Sequence, residues 1–336
     1  MTRLNHPLRI RGFTLVEMLV VLGIIAVLAA LLLPAAMGAV TRARDAAIGF
    51  EVNQLASAIE SYKQDKGDYP PNFRDFNVFL QHVRRCYPKI APTELAWFFT
   101  YDSSGTLTGW KTGRRLDEGE SLVFWLSHTT TDPRYPFGLT HPATATVTFK
   151  KYYEFDETRL ETLDTSSEGA LTGEVRSVAM PSYHAKHCKD TFYLYIDSRA
   201  YKDVAKFSTN PYRDPSPPGD TYAFAEDSST EELRARPYWS DSNSTAYKNV
   251  VAAGGTPSGS LALLRDGWAP MNLTTFQILC AGQDGNFGCH AADTTGELDE
   301  DLKQFPSGSY YSNADKDNIT NFSGGRRMEA SAGKTK

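Results

Sequence analysis

The chain has 336 residues, a formal net charge of −5 and a mean hydropathy of −0.40, with 17 Tyr and 18 Phe. That is ample chain for one large core or two small ones. The mildly acidic balance argues against a dedicated nucleic-acid surface, which needs a basic patch, and no nucleophile elbow, phosphate loop, dinucleotide fingerprint or HExxH sequence occurs, so no enzyme is expected.

Residues 1–12 form a short leader containing Arg3, Arg9 and Arg11 and no acid. An apolar run from Phe13 to Leu33 follows, with Glu17 its only charge, before Pro34. At about 1.5 Å rise per residue, that run is long enough to cross a hydrocarbon core of about 30 Å as one helix. A secretory signal has a shorter apolar region and a small-residue cleavage site behind it; here the small residue, Gly12, precedes the run, so cleavage after it is not expected. A carboxylate four residues inside a span is costly and calls for a partner, and the nearest candidate is a new positive charge at Phe13. Removing the leader takes the formal charge from −5 to −8. A basic leader followed by an acidic body obeys the positive-inside rule and places the body outside the membrane.

The consecutive residues Gly12-Phe13-Thr14-Leu15-Val16-Glu17 behind a basic leader, with Pro34 in the stem, resemble the type IV prepilin and type II secretion pseudopilin class. The resemblance implies that a membrane-embedded prepilin peptidase cuts between Gly12 and Phe13 and N-methylates Phe13. It also implies that Glu17 pairs with the Phe13 amine of a neighbouring subunit, a pairing that sets register more than it adds stability. The implied partners are prepilin peptidase, an inner-membrane assembly platform, and self or other pilin-like subunits in a helical filament. The implied location is the inner membrane, single-pass, with the body in the periplasm, and after assembly a periplasmic or extracellular filament. On the residues alone, an uncleaved signal anchor with an incidental Glu stays open.

Residues 13–34 are thus the membrane or filament-core helix, and 35–67 its amphipathic continuation. Ile48, Val52, Leu55, Ile59 and Tyr62 recur at spacings of four and three, one stripe suited to cradle a sheet. Arg42, Arg44, Asp45, Glu51, Asn53, Ser57 and Glu60 fall largely off that stripe and are expected to face solvent. Gly67 and Pro70-Pro71 stop the helix. Residues 68–190 read as a mixed α/β insertion, with a helix near Phe76–Arg85, a short helix or strand over Ser121–Ser127, and a strand within Thr144–Phe155. Residues 191–325 read as a C-terminal sheet and loops, with Thr191–Asp197 the clearest strand. Residues 326–336 are expected to be a disordered tail.

The strand Phe276–Cys280, the turn Gly282-Gln283-Asp284-Gly285 and the later Asp317-Asn318-Ile319-Thr320-Asn321 resemble the end of major pseudopilins of the G type. That likeness implies calcium, held first by Asp284 and Asp317, with Asp293 and Asp315 behind them, because Ca²⁺ takes several hard oxygen ligands at irregular angles. On the residues alone, Asp284-Gly285 is also simply a good turn. The four cysteines allow three pairings. Cys280–Cys289 would staple the Asp284 turn and leave Cys86–Cys188 to tie the insertion to the sheet; free thiols are the alternative. His184, His187 and Cys188 lack a fourth zinc ligand and read as a solvated segment.

The expected fold is α+β and pilin-like, a long N-terminal helix packed on an antiparallel sheet, with a large insertion. The expected role is that of a structural subunit of a type II secretion pseudopilus or type IV pilus-like filament. The competing class is a membrane-tethered binding module or enzyme using the stem as an anchor.

Overall fold

The computed structural model describes residues 14–73, 75–111, 116–140, 147–161, 180–188, 191–200, 222–223, 234–235, 237–256, 268–287, 303–309, 311 and 313–331. Residues up to Arg44 and residues from Asp45 onward form two compact units. Helix α1 (Leu15–Lys66) contributes to both. In the first unit, Leu15 to Leu33 are all exposed, and the helix is long and apolar enough to cross a membrane by length and composition.

In the second unit, α1 buries the predicted stripe: Ile48, Val52, Leu55, Ile59 and Tyr62 have no exposed surface. Each such side chain contributes about 1.5–3 kcal/mol of burial. The insertion supplies helices α2 (Phe76–Cys86), α3 (Pro92–Phe98) and α4 (Glu118–Ser127). Helix α2 starts on Asp75, whose side chain accepts from the amides of Asn77 and Val78; α4 starts on a capping box between Asp117 and Glu120. Two further short helices, α5 (Thr245–Ala252) and α6 (Met328–Ser331), lie towards the C-terminus.

The strands in chain order are β1 (Phe99–Tyr101), β2 (Leu107–Trp110), β3 (Thr129–Thr130), β4 (Phe149–Lys150), β5 (Leu160–Glu161), β6 (Ser182–Tyr183), β7 (Leu194–Asp197), β8 (Tyr222–Ala223), β9 (Arg234–Ala235), β10 (Trp239–Asn243), β11 (Trp268–Pro270), β12 (Phe276–Cys280), β13 (Gln304–Phe305) and β14 (Ile319–Thr320). The central sheet is antiparallel, in the order β14-β12-β7. A second three-stranded sheet runs β11-β10-β13, and the other strands form pairs.

The central sheet is covered on both faces. Tyr193, Tyr195, Phe276, Ile278 and Cys280 share a core with the α1 stripe and with Leu122, Val123 and Leu126 of α4. Leu194, Ile196, Leu279 and Ala281 turn the other way, into a core with Tyr238, Trp239, Phe287 and Met328. Alternation along each strand sends successive side chains to opposite layers. The insertion builds a third, aromatic core in which Phe73, Phe79, Phe98, Phe124, Trp125 and Phe137 pack on Tyr62 of α1. Within it, fully buried Glu94 accepts from the amides of Phe137, Leu139 and Thr140 and from the Thr140 hydroxyl.

Three expectations are corrected. Glu51 does not face solvent: it is buried, and Arg159 grips it through two bonds of 2.6 and 2.7 Å while Tyr183 and Tyr193 donate hydroxyls at 2.9 and 2.6 Å. The strand expected within Thr144–Phe155 is reduced to Phe149–Lys150, because Tyr152, Tyr153 and Phe155 are drawn into the neighbouring cores instead of laddering; Thr144 lies outside the described residues. The segment from Arg326 to Ser331 is not a free tail. Arg327 bonds Asp45 of α1 at 2.6 and 3.1 Å, and Met328 is fully buried. The contact is close: a Cβ on Gly49 would lie 2.2 Å from the Gly325 carbonyl oxygen, so only glycine fits there.

Burial by itself raises the pKa of Glu51, but Arg159 and the tyrosine hydroxyls outweigh it and hold the carboxyl below its usual value. The stability this group contributes is therefore complete above the unfolded carboxylate pKa and is lost as pH falls through the lower folded value. Glu51→Ala and Arg159→Ala should each cost about 3–5 kcal/mol, since either leaves a buried charge unpaired. Denaturant titration of the full chain in detergent will show this, and the double variant should cost less than the two singles together.

Candidate functional site

Three places in the fold hold the residues singled out from the sequence. At the start of α1, Thr14 and Glu17 cap the helix reciprocally. The Thr14 amide and hydroxyl both donate to Glu17 Oε2 at 2.8 Å, and the Glu17 amide donates to Thr14 Oγ1 at 3.2 Å. This is the geometry of a capping box: two of the amides that an α-helix leaves unsatisfied at its beginning are met by side chains three residues apart. A carboxylate in the first turn also meets the positive end of the helix dipole. Glu17 Oε2 is thus hydrogen-bonded within its own chain, at the head of an apolar segment that the described residues leave uncovered. Gly12 and Phe13 lie outside the described residues.

The second place is the turn after β12. Asp317 Oδ2 accepts from the amides of Gln283 and Asp284 at 2.8 and 3.2 Å, while its buried Oδ1 has no hydrogen-bond partner. Gly282 has φ +70°, and a Cβ there would lie 2.6 Å from the Asp317 carboxyl carbon, so glycine lets the turn close on that carboxylate. Asp284 Oδ1 accepts from the Asn286 amide at 2.8 Å. Burial, and then the nearby Asp284, push Asp317 up to about 6; burial likewise raises Asp284. The Gln283 side chain reaches from this turn to Asp45 of α1 at 2.7 Å.

Asp315 does not join the pair. It is fully buried against Lys303 Nζ at 2.5 Å and accepts the Tyr238 hydroxyl at 3.1 Å, so its charge is already matched. Asp293 lies outside the described residues, and among those described no cluster of three or more His, Cys, Asp or Glu side chains is arranged to hold a metal.

The third place is the cysteines. Cys188 faces Cys280 with sulfurs 3.2 Å apart, whereas Cys86 sits on the Lys66 carbonyl and His82. The connection from β6 to β7 thus brings Cys188 to the end of β12 and away from Cys86; Cys86, Cys188 and Cys280 are free thiols, and Cys289 lies outside the described residues. In the segment around His184, Lys186 and His187 are exposed as expected, but the residues before them pack into the body. Ser182 and Tyr183 are buried, and the His184 ring lies against Phe192 and its Nε2 on Glu161.

Residues 8–33 match the family described as the prokaryotic N-terminal methylation motif. Over 62 residues the chain is 40% identical to the type IV wide pilus major component PilA4 of Thermus thermophilus. That match spans 18% of this chain and 47% of the relative, so the chain covers about half the length of the curated protein it resembles. No solved structure matches the chain.

Thr14→Val keeps the shape of the side chain and removes the hydroxyl that serves two of the three capping bonds. The first turn of α1 should lose about 1 kcal/mol. Hydrogen exchange on the full chain in micelles should then show the amides of residues 15–17 exchanging about fivefold faster, with those near Leu55 unchanged.

Proposed function

We propose that this type IV pilin-like chain is a structural subunit of a type II secretion pseudopilus. It would be made as an inner-membrane precursor, cut between Gly12 and Phe13 by prepilin peptidase, methylated on Phe13, and assembled through its stem into a helical filament with its body on the periplasmic side. The observation that carries the reading is Glu17: a carboxylate held at the head of an uncovered apolar helix, inside the matched methylation motif. Packing such helices side by side removes both the apolar surface and the carboxylate from water and lipid, and the new amine at Phe13 is the charge that a neighbouring Glu17 requires. Other pilin-like subunits and an inner-membrane assembly platform are then the partners. A structural role is also in keeping with the absence of enzyme motifs from the sequence. A type IV pilus subunit is the second reading, favoured by the likeness to a major component of a type IV wide pilus. The pseudopilus reading rests on the likeness of the sequence around Asp284 and Asp317 to the G-type end.

Calcium belongs to the same proposal. The Asp284–Asp317 pair fits a hard divalent cation in part: two adjacent carboxylates, one with a buried oxygen that no donor serves. Asp315 would not be a ligand, being held by Lys303. Backbone carbonyls and water would complete the shell.

Intact mass of the protein from its native membrane should correspond to a chain starting at Phe13 with one added methyl, and Glu17→Ala should abolish filaments seen by electron microscopy. A chain still starting at Met1 or Thr2, or filaments indifferent to Glu17, would leave a tethered binding module or enzyme as the better reading. For the cation, calcium at a hundredfold excess over its dissociation constant should add about 2.7 kcal/mol to the stability of the full chain in detergent, and Asp317→Asn should remove that increment. Equal responses of wild type and variant would assign the turn a purely structural role.

A further inference from the structure

Cys188 and Cys280 stand 92 positions apart in the chain, yet their sulfurs are 3.2 Å from each other. Neither is carried there by the other. Cys280 ends β12, which is laddered to β7 on one side and to β14 on the other. Cys188 closes a turn, its amide donating to the Ala185 carbonyl; the Ala185 amide in turn donates to Thr191, and His184 bridges Phe192. Two backbones fixed by their own hydrogen bonds therefore present two thiols to one another. A bonded pair has its sulfurs about 2.05 Å apart, so closure asks for roughly 1 Å of movement. Cys188 is half-buried and at the end of a turn, while Cys280 has no exposed surface, so Cys188 is the sulfur that moves and the one a reagent reaches.

We propose that Cys188 and Cys280 form a disulfide cross-link, made by exchange with an oxidant of the disulfide-bearing dithiol class. The Cys188 thiolate attacks one sulfur of the oxidant's disulfide and expels the other as a thiolate. Cys280 then attacks the Cys188 sulfur of the mixed disulfide, which forms the Cys188–Cys280 bond and releases the second oxidant sulfur. Two electrons pass to the oxidant, and the two protons lost by the cysteines are taken up by its two sulfurs. The neighbouring Cys280 thiol and burial both push the Cys188 thiol up, so the attacking thiolate is a minor species of Cys188. Cys86 stays reduced, since no other described cysteine lies against it and its sulfur rests on the Lys66 carbonyl. The cross-link ties the β6–β7 connection to the strand that enters the Asp284 turn, and it holds whether or not that turn takes a cation.

The test is a thiol map of the full chain, purified from its membrane without reductant, with free thiols alkylated at lysis. The expected result is one peptide pair joining Cys188 to Cys280, lighter than the two thiol peptides by two hydrogens, with Cys86 alkylated. Reductant should lower the melting temperature of the wild type and leave that of Cys188→Ser unmoved. A peptide joining Cys280 to Cys289, or complete alkylation of Cys188 and Cys280, would overturn the proposal. If Cys188→Ser fails to accumulate, the wild-type map still decides.

Discussion

The body of this protein is organised around one buried carboxylate. Glu51 lies on the same helix as the apolar stripe that forms the core, so its charge has to be met by whatever packs there. Arg159 of the insertion meets it with two hydrogen bonds, and Tyr183 and Tyr193 approach from β6 and from the residue leading into β7. Helix, insertion and sheet are thus held in one register by a single group. The asymmetry of such a network matters more than its net worth: with all partners present it adds little over an apolar core, while the loss of any one strands a charge. That makes Glu51 a device for specifying one arrangement, as a stripe of Ile, Val and Leu alone would not.

A sheet buried on both faces follows from the same economy of surface. Tyr193 and Tyr195 face α1 and α4, and Leu194 and Ile196 face the core around Trp239, so β7 has no side left for water. The insertion is therefore not an appendage on a compact pilin-like body. Its α4 shares the core of α1 and the sheet, and its aromatic cluster takes Tyr62 from the end of the stripe. The apolar residues ahead of Arg44 are the reverse case, a surface that the described residues leave open and that packing against other helices or lipid would close.

Much of this was legible in the sequence where the signal was local. The stripe from Ile48 to Tyr62 shows because helical side chains return to one face every three or four residues, and the strand β7 shows, three residues shorter than the expected Thr191–Asp197, because aromatic and β-branched residues alternate. The motif ending at Glu17 shows as consecutive residues at a fixed distance from a basic leader. What stayed hidden depends on partners distant in the chain. Glu51 reads as solvent-facing until Arg159 is placed beside it, 108 positions later. The basic segment at Arg327 reads as disordered because its partner, Asp45, is on the first helix. Cys280 lies nine positions from Cys289, which is outside the described residues, whereas its nearness to Cys188, 92 positions away, shows only in the tertiary path. Tyr152 and Tyr153 sit in a stretch with the alternation of a strand but are consumed by packing and by hydrogen bonds to Asp65 and Glu51.

The contact between Arg327 and Asp45 spans 282 positions, and Gly49 meets Gly325 beside it. Such pairings close a very large loop, and topologies dominated by them fold slowly. During synthesis, the stem emerges from the ribosome and can enter the membrane long before the segment that latches onto its base exists. The chain therefore passes through an interval in which its first helix is complete but Asp45 and Gly49 have not yet met Arg327 and Gly325. In that interval the unfinished body, not the stem, is what proteases and chaperones would encounter.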